Sequence, residues 1–563
     1  MNIRLQHIHQ SVLFLLFPLL TLLLVRSDLN QAGSLDAFFY TAFSNDYVDM
    51  VSRYSGYYYS TRLSHILPNA LANYVFDSQA AYLFVRYLQL VAATVAIFFI
   101  SRHYATEIVA WFATLFFCTH VWLLRSLLWD YVDGTVVTYS LIGIAFLLPR
   151  KNERWAHFGA GIAFAGAANG NPMCLIIPAG YAATWLIERL DRPLKNNLKS
   201  VAACICGFFL GHGLLAVAML ALDPLAGWNF ERVTLNAVSS LLSGGASNWF
   251  NTLSDIFLKS GFYQPLTLPF FLSVSFVAMF CTGSDSQKRK TFAAFAFMMS
   301  TTVIFLIFHF VLTTGALGYS FSLIYALPAS VVALSSLLGK WNPRSLRAVL
   351  LFGGLFFVAQ FSIWWSAPRI LPIILRFHFE ILLMLSILAF AALFALATPK
   401  VNQRSGLFAI ILLFVLLASN AFFLRKDTAP IYGDSSGRQT EWDVRNGALY
   451  LQNFIARHVP RNVPVRFWYG VRDPYLNSVQ SSHLWLTSRL SWPTEAQMPQ
   501  IDDAVRKRIR EEARYIAILG DDGEVNAAVG ALRAAGYNLD NVTKGEFKGL
   551  AWPGYVVVVG TLQ

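Results

Sequence analysis

Between an apolar run that ends near Val25 and a second that begins near Ala80 lies LDAFFYTAFSNDYVDMVSRYSGYYYSTRLSHILPNAL, which gathers Asp36, Asp46, Asp49, Arg53, Tyr57, Tyr58, Tyr59, Arg62 and His65. Carboxylates, guanidinium groups and phenols concentrated at a membrane surface are costly to bury and favour a polar site over passive packing. A carboxylate just outside a span can take a proton from an incoming hydroxyl. An arginine nearby can hold a departing phosphate in a two-pronged grip. Together these groups suit sugar transfer from a lipid phosphate. Asp36 is the candidate base and Arg62 the candidate phosphate ligand. Tyr58, Tyr59 and His65 are candidate substrate contacts. Plainer readings stand beside these: Asp36 as a solvated acid or helix cap, Arg62 as a headgroup anchor, the tyrosines as an interfacial aromatic belt. Asp46 and Asp49 lie in a polar stretch where acids are common and read as solvated.

A second constellation is LLWDYVDG, with Asp130 and Asp133 between the third and fourth apolar runs. If the segment is helical, this spacing puts both carboxylates on one face, suited to a metal, an acceptor contact or orientation of the base. Alternatively, Asp133 caps a helix starting at Gly134. In AANGNP, Asn169 and Asn171 form a tight turn that presents amides to a sugar or simply joins two helices. Gly207 and Gly211 in CGFFLG read as permitting close helix packing. His120, His212 and His309 sit singly in or near apolar runs, with no zinc-ligand spacing around them.

The elements that must position these residues are set by composition. The chain has 563 residues, 56% of them hydrophobic and 13% charged, with a mean hydropathy of +0.51. So much apolar surface cannot be hidden in a water-soluble fold of ordinary composition, and a bilayer is its natural solvent. Runs of spanning length, or nearly so, begin near Ser11, Ala80, Tyr104, Gly134, His157, Met173, Ser200, Leu266, Thr291, Tyr319, Leu346, Phe379 and Gly406, which predicts about thirteen transmembrane helices. The net charge of +12 lies mostly in short loops: Arg102, Arg150/Lys151/Arg154, Arg189/Arg192/Lys195/Lys199, Lys288/Arg289/Lys290, Lys340/Arg344/Arg347 and Lys400/Arg404 alternate onto one side. The excess therefore reports topology, with that side cytoplasmic, and excludes nucleic acid as a partner.

From a cytoplasmic N-terminus, this parity puts loops 26–79 and 223–264, the Asp130 stretch, the Asn169 turn and everything after Arg425 outside. Phe230 to Leu242 and Trp249 to Phe257 have the pattern of amphipathic surface helices. The five cysteines all fall in or at the ends of apolar runs, so neither a disulfide framework nor a thiolate metal site is expected. Arg26-Ser27-Asp28 replaces the small residues of a signal-peptide cleavage site, so the first helix is expected to remain as an anchor.

Residues 1–424 thus read as the transmembrane domain and 425–563 as a small soluble α/β domain. In the latter Val463 to Trp468, Tyr515 to Leu519 and Tyr555 to Val559 have strand patterns, and Asp502 to Glu512 and Glu524 to Ala535 helical ones, the last ended by Gly536. No glycine-rich phosphate loop marks it as nucleotide-binding. RFWYGVRDPYLNSVQSSHLWL offers Arg472, Asp473, Tyr475 and His483, either for acceptor recognition or as an ordinary strand and polar loop.

An aspartate shortly after the first span, in LDAFFY, followed by YYYSTRLSHILPNAL before the second, resembles the first loop of the GT-C superfamily of integral membrane glycosyltransferases. It is similar to the bacterial branch with the lipid A aminoarabinose transferase, the rhizobial lipopolysaccharide sugar transferases and the protein O-mannosyltransferases. The likeness covers roughly the first two hundred residues and the overall topology. It implies Asp36 as catalytic base, a polyprenyl-phosphate sugar as donor, an extracytoplasmic glycan, lipid or protein as acceptor, and a C-terminal extension in the periplasm of a bacterial inner membrane. Members with diphosphate donors pair first- and second-loop acids around a divalent metal, whereas monophosphate users usually work without one. The oligosaccharyltransferase-type WWxxG motif is missing, which favours the metal-independent reading, with an ion at Asp36 and Asp130 left open. Two other classes fit a polytopic chain: a flippase or transporter of lipid-linked saccharide, and a catalytically silent assembly partner. Neither an internal repeat nor a row of mid-span charges marks a transporter.

Overall fold

The computed structural model describes residues 2–24, 40, 43–44, 47–54, 58–76, 78–128, 132–149, 153–224, 285–310, 324–338, 450–451, 453–455, 457–460, 465–469, 490–491, 515–546 and 554–562. The predicted spans beginning near Leu266, Leu346, Phe379 and Gly406, the amphipathic segments at 230–242 and 249–257, and the helix at 502–512 lie outside the described residues.

The apolar runs fold as helices: α1 (Asn2–Leu24), α4 (Ser78–Tyr104), α5 (Glu107–Cys118), α6 (Val121–Leu128), α7 (Val132–Leu147), α8 (Glu153–Gly170), α9 (Ile176–Glu188), α10 (Leu194–Leu222), α11 (Asp285–Phe310) and α12 (Leu327–Leu338). Stretches within three of them, Ala80–Tyr104, Leu194–Leu222 and Arg289–Phe308, are long and apolar enough to cross a membrane, and α1, α5, α7, α9 and α12 hold shorter apolar stretches. The run predicted to begin near Tyr104 forms two helices, parted at Thr119 and His120. There the Thr119 hydroxyl donates back to the Leu115 carbonyl at 2.8 Å, a local bond that competes with helix continuation.

Loop 26–79 is not a plain surface connection where it is described. It contains α2 (Tyr47–Tyr54), a 3-10 turn at Tyr58–Thr61 and α3 (Leu63–Asn73), and it buries Tyr40, Phe43, Met50 and Ile66 in the same core as Leu90, Val136, Phe164 and Phe297. An apolar residue interspersed among polar ones at helical spacing is what allows this segment to sit down on the bundle.

The basic loops gather at one end of the bundle. His103 Nε2 lies 3.1 Å from Glu188, Lys290 Nζ donates to the His103 carbonyl, Arg289 pairs with Asp191, and Arg192 and Arg189 grip Glu153 at 2.6 and 3.3 Å. Burial pushes the Glu153 carboxyl up, but the hydrogen bond from Arg192 and the charges of both arginines outweigh it and hold it below the usual carboxylate range. The first loop, the start of α7 and the end of α8 meet at the opposite end.

Helices α8 and α10 pack most intimately, and glycine is the reason. A Cβ on Gly207 would lie 2.0 Å from the Phe158 carbonyl oxygen, and one on Gly161 would lie 2.0 Å from that of Cys204. Gly211 also touches α8, at Ile162 and Ala165. The CGFFLG glycines thus serve packing, as small residues between membrane helices do.

In the tail, β1 (Val465–Tyr469), β2 (Leu490–Ser491), β3 (Tyr515–Gly520), β4 (Leu539–Glu546) and β5 (Val556–Leu562) form one sheet in the order β2-β1-β3-β5-β4. β1 runs parallel to β2 and β3, and β5 antiparallel to β3 and β4. Helix α13 (Asp522–Ala534) follows β3. Its Val525, Ala528 and Leu532 pack with Ile516, Ile518, Val556 and Val558. Asp521 and Glu524 close a capping box at its start, and Gly536, at φ 86°, turns the chain after its end. β4 was not predicted. Its sequence, LDNVTKGE, is that of an edge strand, and its pairing is broken by an irregularity between Asp540 and Thr543 where Asn541 takes a φ of 52°.

Candidate active site

The site end is built around the corner where the 3-10 turn passes into α3. Arg62 occupies the N-cap of α3 and forms no side-chain cap. A guanidinium only donates, so it cannot accept from the exposed N–H groups of the helix start. Asn169, at the end of α8, supplies the acceptor instead: its Oδ1 receives the Ser64 N–H at 2.9 Å. Its Nδ2 donates to the Thr61 carbonyl at 2.9 Å, and its own carbonyl accepts from Arg62 Nη1 at 3.3 Å. All four residues are buried. The preceding residue is tied from the other side, Ser60 Oγ donating to the buried Asp223 at 3.1 Å and the Tyr47 hydroxyl to the Ser60 carbonyl at 3.0 Å. Burial and the nearby Asp223 carboxylate push the Tyr47 phenol well above its ordinary value, against the smaller opposing effect of the Ser60 bond. Tyr47 is therefore a fixed donor.

Asp133 stands in the first turn of α7 and is fully buried. The expectation that it caps a helix starting at Gly134 is corrected: the helix already runs from Val132, two residues earlier. Asp133 Oδ1 accepts from Asn171 Nδ2 at 3.0 Å and from the Tyr325 hydroxyl, just before α12. Asn171 also caps the 3-10 turn Pro172–Leu175, accepting from Met173 N–H. The AANGNP segment is thus no exposed amide display; Asn169 is 2% exposed and both amides are spent on neighbouring elements. Arg62 and Asp133 both lie within electrostatic reach of Cys174 and Tyr325.

His65 is fully buried on α3, with Nδ1 2.8 Å from Thr135 Oγ1 on α7. Thr135 also accepts from Gln89 Nε2 at 2.7 Å, and Gln89 Oε1 accepts from Arg86 Nη1 at 2.8 Å, both on α4. The Arg86 guanidinium lies over the Tyr82 ring, 5.0 Å from its centre. Tyr59 is buried and meets Tyr40 edge to face at 5.4 Å, and Tyr40 meets His65 at the same distance. The structure thus brings together Arg62, His65, Tyr59 and Asp133. Asp36, Asp46 and Asp130, with Arg472, Asp473, Tyr475 and His483, lie outside the described residues, as do the side chains of Asp49, Arg53 and Tyr58. Among the described residues no three His, Cys, Asp or Glu side chains form a group able to hold a metal ion.

Arg86, Gln89, Thr135 and Tyr325 were missed. The first three lie inside apolar runs, and Tyr325 is distant in sequence. Arg86 did carry a signal, because an arginine within a span is a functional candidate by default.

No protein-family model matches the chain, and no curated protein matches it significantly. Solved structures do. The crystal structure of ArnT from Cupriavidus metallidurans bound to undecaprenyl phosphate matches 98% of this chain and 98% of its own, at 14% identity and a TM-score of 0.55. The apo state of the same protein matches with a TM-score of 0.48 at 14% identity, over 98% of each chain. An apo oligosaccharyltransferase from Archaeoglobus fulgidus matches 90% of this chain and 69% of its own, at 11% identity and a TM-score of 0.46. The likeness to ArnT runs the length of both chains, and this chain shares its fold.

Proposed function

We propose that this protein is an integral membrane glycosyltransferase that moves a sugar from a polyprenyl-phosphate donor to an acceptor outside the cytoplasmic membrane, with inversion at the anomeric carbon. The observation that carries the reading is the fold match to ArnT bound to undecaprenyl phosphate, over 98% of both chains. Polar residues buried where the first loop, α7 and α8 meet support it, because such burial in a membrane domain is costly unless function requires it.

Asp36 takes the proton of the acceptor hydroxyl as the new bond to the anomeric carbon forms. The bond from that carbon to the phosphate oxygen breaks, and the lipid phosphate leaves against the Arg62 guanidinium. Asp130, Tyr58 and Tyr59 line the sugar path. His65 and Asp133, already bonded to Thr135, Asn171 and Tyr325, shape it from behind. In this reading the basic end and the N-terminus face the cytoplasm, and 425–563 folds as a periplasmic domain.

The test is transfer by purified protein in liposomes supplied with a panel of polyprenyl-phosphate sugars, with and without a chelator. Transfer is expected, with loss of at least about a hundredfold on Asp36→Asn. Undiminished activity in that variant removes the base. Movement of labelled lipid across the bilayer without covalent transfer favours a flippase instead. Sensitivity to chelator would show dependence on a divalent ion, for which Asp36 and Asp130 are the candidate ligands.

A further inference from the structure

We propose that Asn169 is the positioning residue for the donor phosphate: it clamps the corner that carries Arg62 and so holds a guanidinium and a helix N-terminus in one place. The inference rests on the functional reading of Arg62 given above.

Three bonds run from this one residue to a stretch of four. Asn169 Nδ2 holds the Thr61 carbonyl, Oδ1 holds the Ser64 N–H, and the main-chain oxygen holds Arg62. The two halves of the amide are used on the two sides of Arg62, one as donor and one as acceptor. No other side chain of that size offers both without carrying charge or a rotatable proton. Thr61 and Ser64 are 0% and 6% exposed, so water does not replace either bond.

The arrangement opposes local electrostatic preference. Helix N-termini favour anions, yet a cation stands at the N-cap of α3. Packing asks for no guanidinium there, and an ordinary capping side chain would satisfy Ser64 without help from α8. What the corner gains is a guanidinium beside the start of an eleven-residue helix, two groups that each receive phosphate elsewhere. Because α8 is locked to α10 by Gly161 and Gly207, the clamp is mounted on a rigid element.

The experiment compares wild type, Asn169→Ala, Asn169→Asp, Arg62→Ala and the Asn169→Ala/Arg62→Ala double variant, each first checked for a cooperative melting transition and assayed well below its midpoint. Undecaprenyl phosphate is titrated into the purified full chain, and KM and kcat for the active donor are measured. Asn169→Ala is expected to weaken undecaprenyl phosphate binding and raise the donor KM by about tenfold, with less change in kcat. Asn169→Asp, which keeps the acceptor for Ser64 and loses the donor to Thr61, is expected to show part of that loss. In the Arg62→Ala background the Asn169→Ala change is expected to shrink below about twofold, since the residue acts through Arg62. Equal losses in both backgrounds would overturn the proposal and leave Asn169 a general packing residue. So would tight binding by both single Asn169 variants in a protein whose wild type binds. A wild type that neither binds undecaprenyl phosphate nor transfers sugar overturns the functional reading, and this inference with it.

Discussion

Gly207→Ala provides a demanding test of the packing that mounts the site. A Cβ added there lies 2.0 Å from the Phe158 carbonyl oxygen and 2.8 Å from its carbon. Ordinary van der Waals contact begins at 3.4 Å, so α8 and α10 must part by about 1.4 Å at this point. Both obstructing atoms belong to backbone, which cannot swing aside as a flexible side chain does. Overpacking of this kind costs about 1–3 kcal/mol. Alanine recovers about 1 kcal/mol through its better helix propensity, leaving a net destabilisation of up to about 2 kcal/mol. Gly213 is the internal control: it sits on the same helix, and a Cβ there meets nothing within 4 Å. For Gly213→Ala only the propensity term remains, a gain of up to about 1 kcal/mol. The two substitutions, chemically identical, should therefore move the thermal midpoint of the detergent-solubilised protein in opposite directions, readable by scanning fluorimetry. Gly207→Ala should also impair transfer, because Asn169 lies about 16 Å further along α8 and a misplacement near 1 Å can cost about a hundredfold in rate. Shifts of equal sign and size for Gly207→Ala and Gly213→Ala would falsify the close α8–α10 contact.

Further outcomes follow from the same structure. Glu153 is held below the usual carboxylate range by its arginines; a folded value below the unfolded one means stability present above the unfolded pKa and lost as pH falls through the folded one. Melting curves taken down through the acid range should drop for wild type, and Glu153→Gln should flatten that part of the profile. Tyr325→Phe removes a buried donor to Asp133 and is expected to lower the melting point by the equivalent of about 1–3 kcal/mol, with Asn171→Ala less than additive to it because both donors share one carboxylate oxygen. Asp521→Ala opens the capping box of α13, costing about 1 kcal/mol, and faster hydrogen exchange confined to the peptide around 521–535 would report it.

How much of this was legible in the sequence depends on the range of each interaction. Helices announced themselves through apolar runs, and the alternation of basic loops corresponds to the cluster that joins His103, Glu188, Glu153, Arg189, Arg192 and Arg289 at one end. Gly207 and Gly211 were readable as packing residues because glycine four apart on an apolar helix has few other uses. The first loop was expected to be the place for chemistry, and its Arg62, Tyr59 and His65 lie with Asp133 at one end of the bundle. Their partners were not readable. Asn169 bonds across more than a hundred positions to Thr61 and Ser64, and Tyr325 across 192 to Asp133; no local period encodes such pairs. β4 escaped for another reason: edge strands carry charge and glycine, which mask the alternation that reveals buried ones.

The polar chain from Arg86 to His65 also shows how an arginine tolerates burial. An arginine can only donate, so its bond to Gln89 fixes that side chain with Oε1 towards Arg86 and Nε2 towards Thr135. Thr135 then joins α4 to His65 on α3. Three helices are tied by bonds whose order follows from the first donor, and a half-made version would be worse than an apolar core. The chain ends on the helix that begins with Arg62, and that helix's start is set independently by Asn169 from α8. The first loop is thus held at both Ser64 and His65, one bond from α8 and one from α7, and neighbouring contacts from two different helices fix its rotation as well as its position. A loop needed only to connect two spans would have no use for that restraint; a loop that must present a guanidinium to a phosphate at fixed geometry requires it.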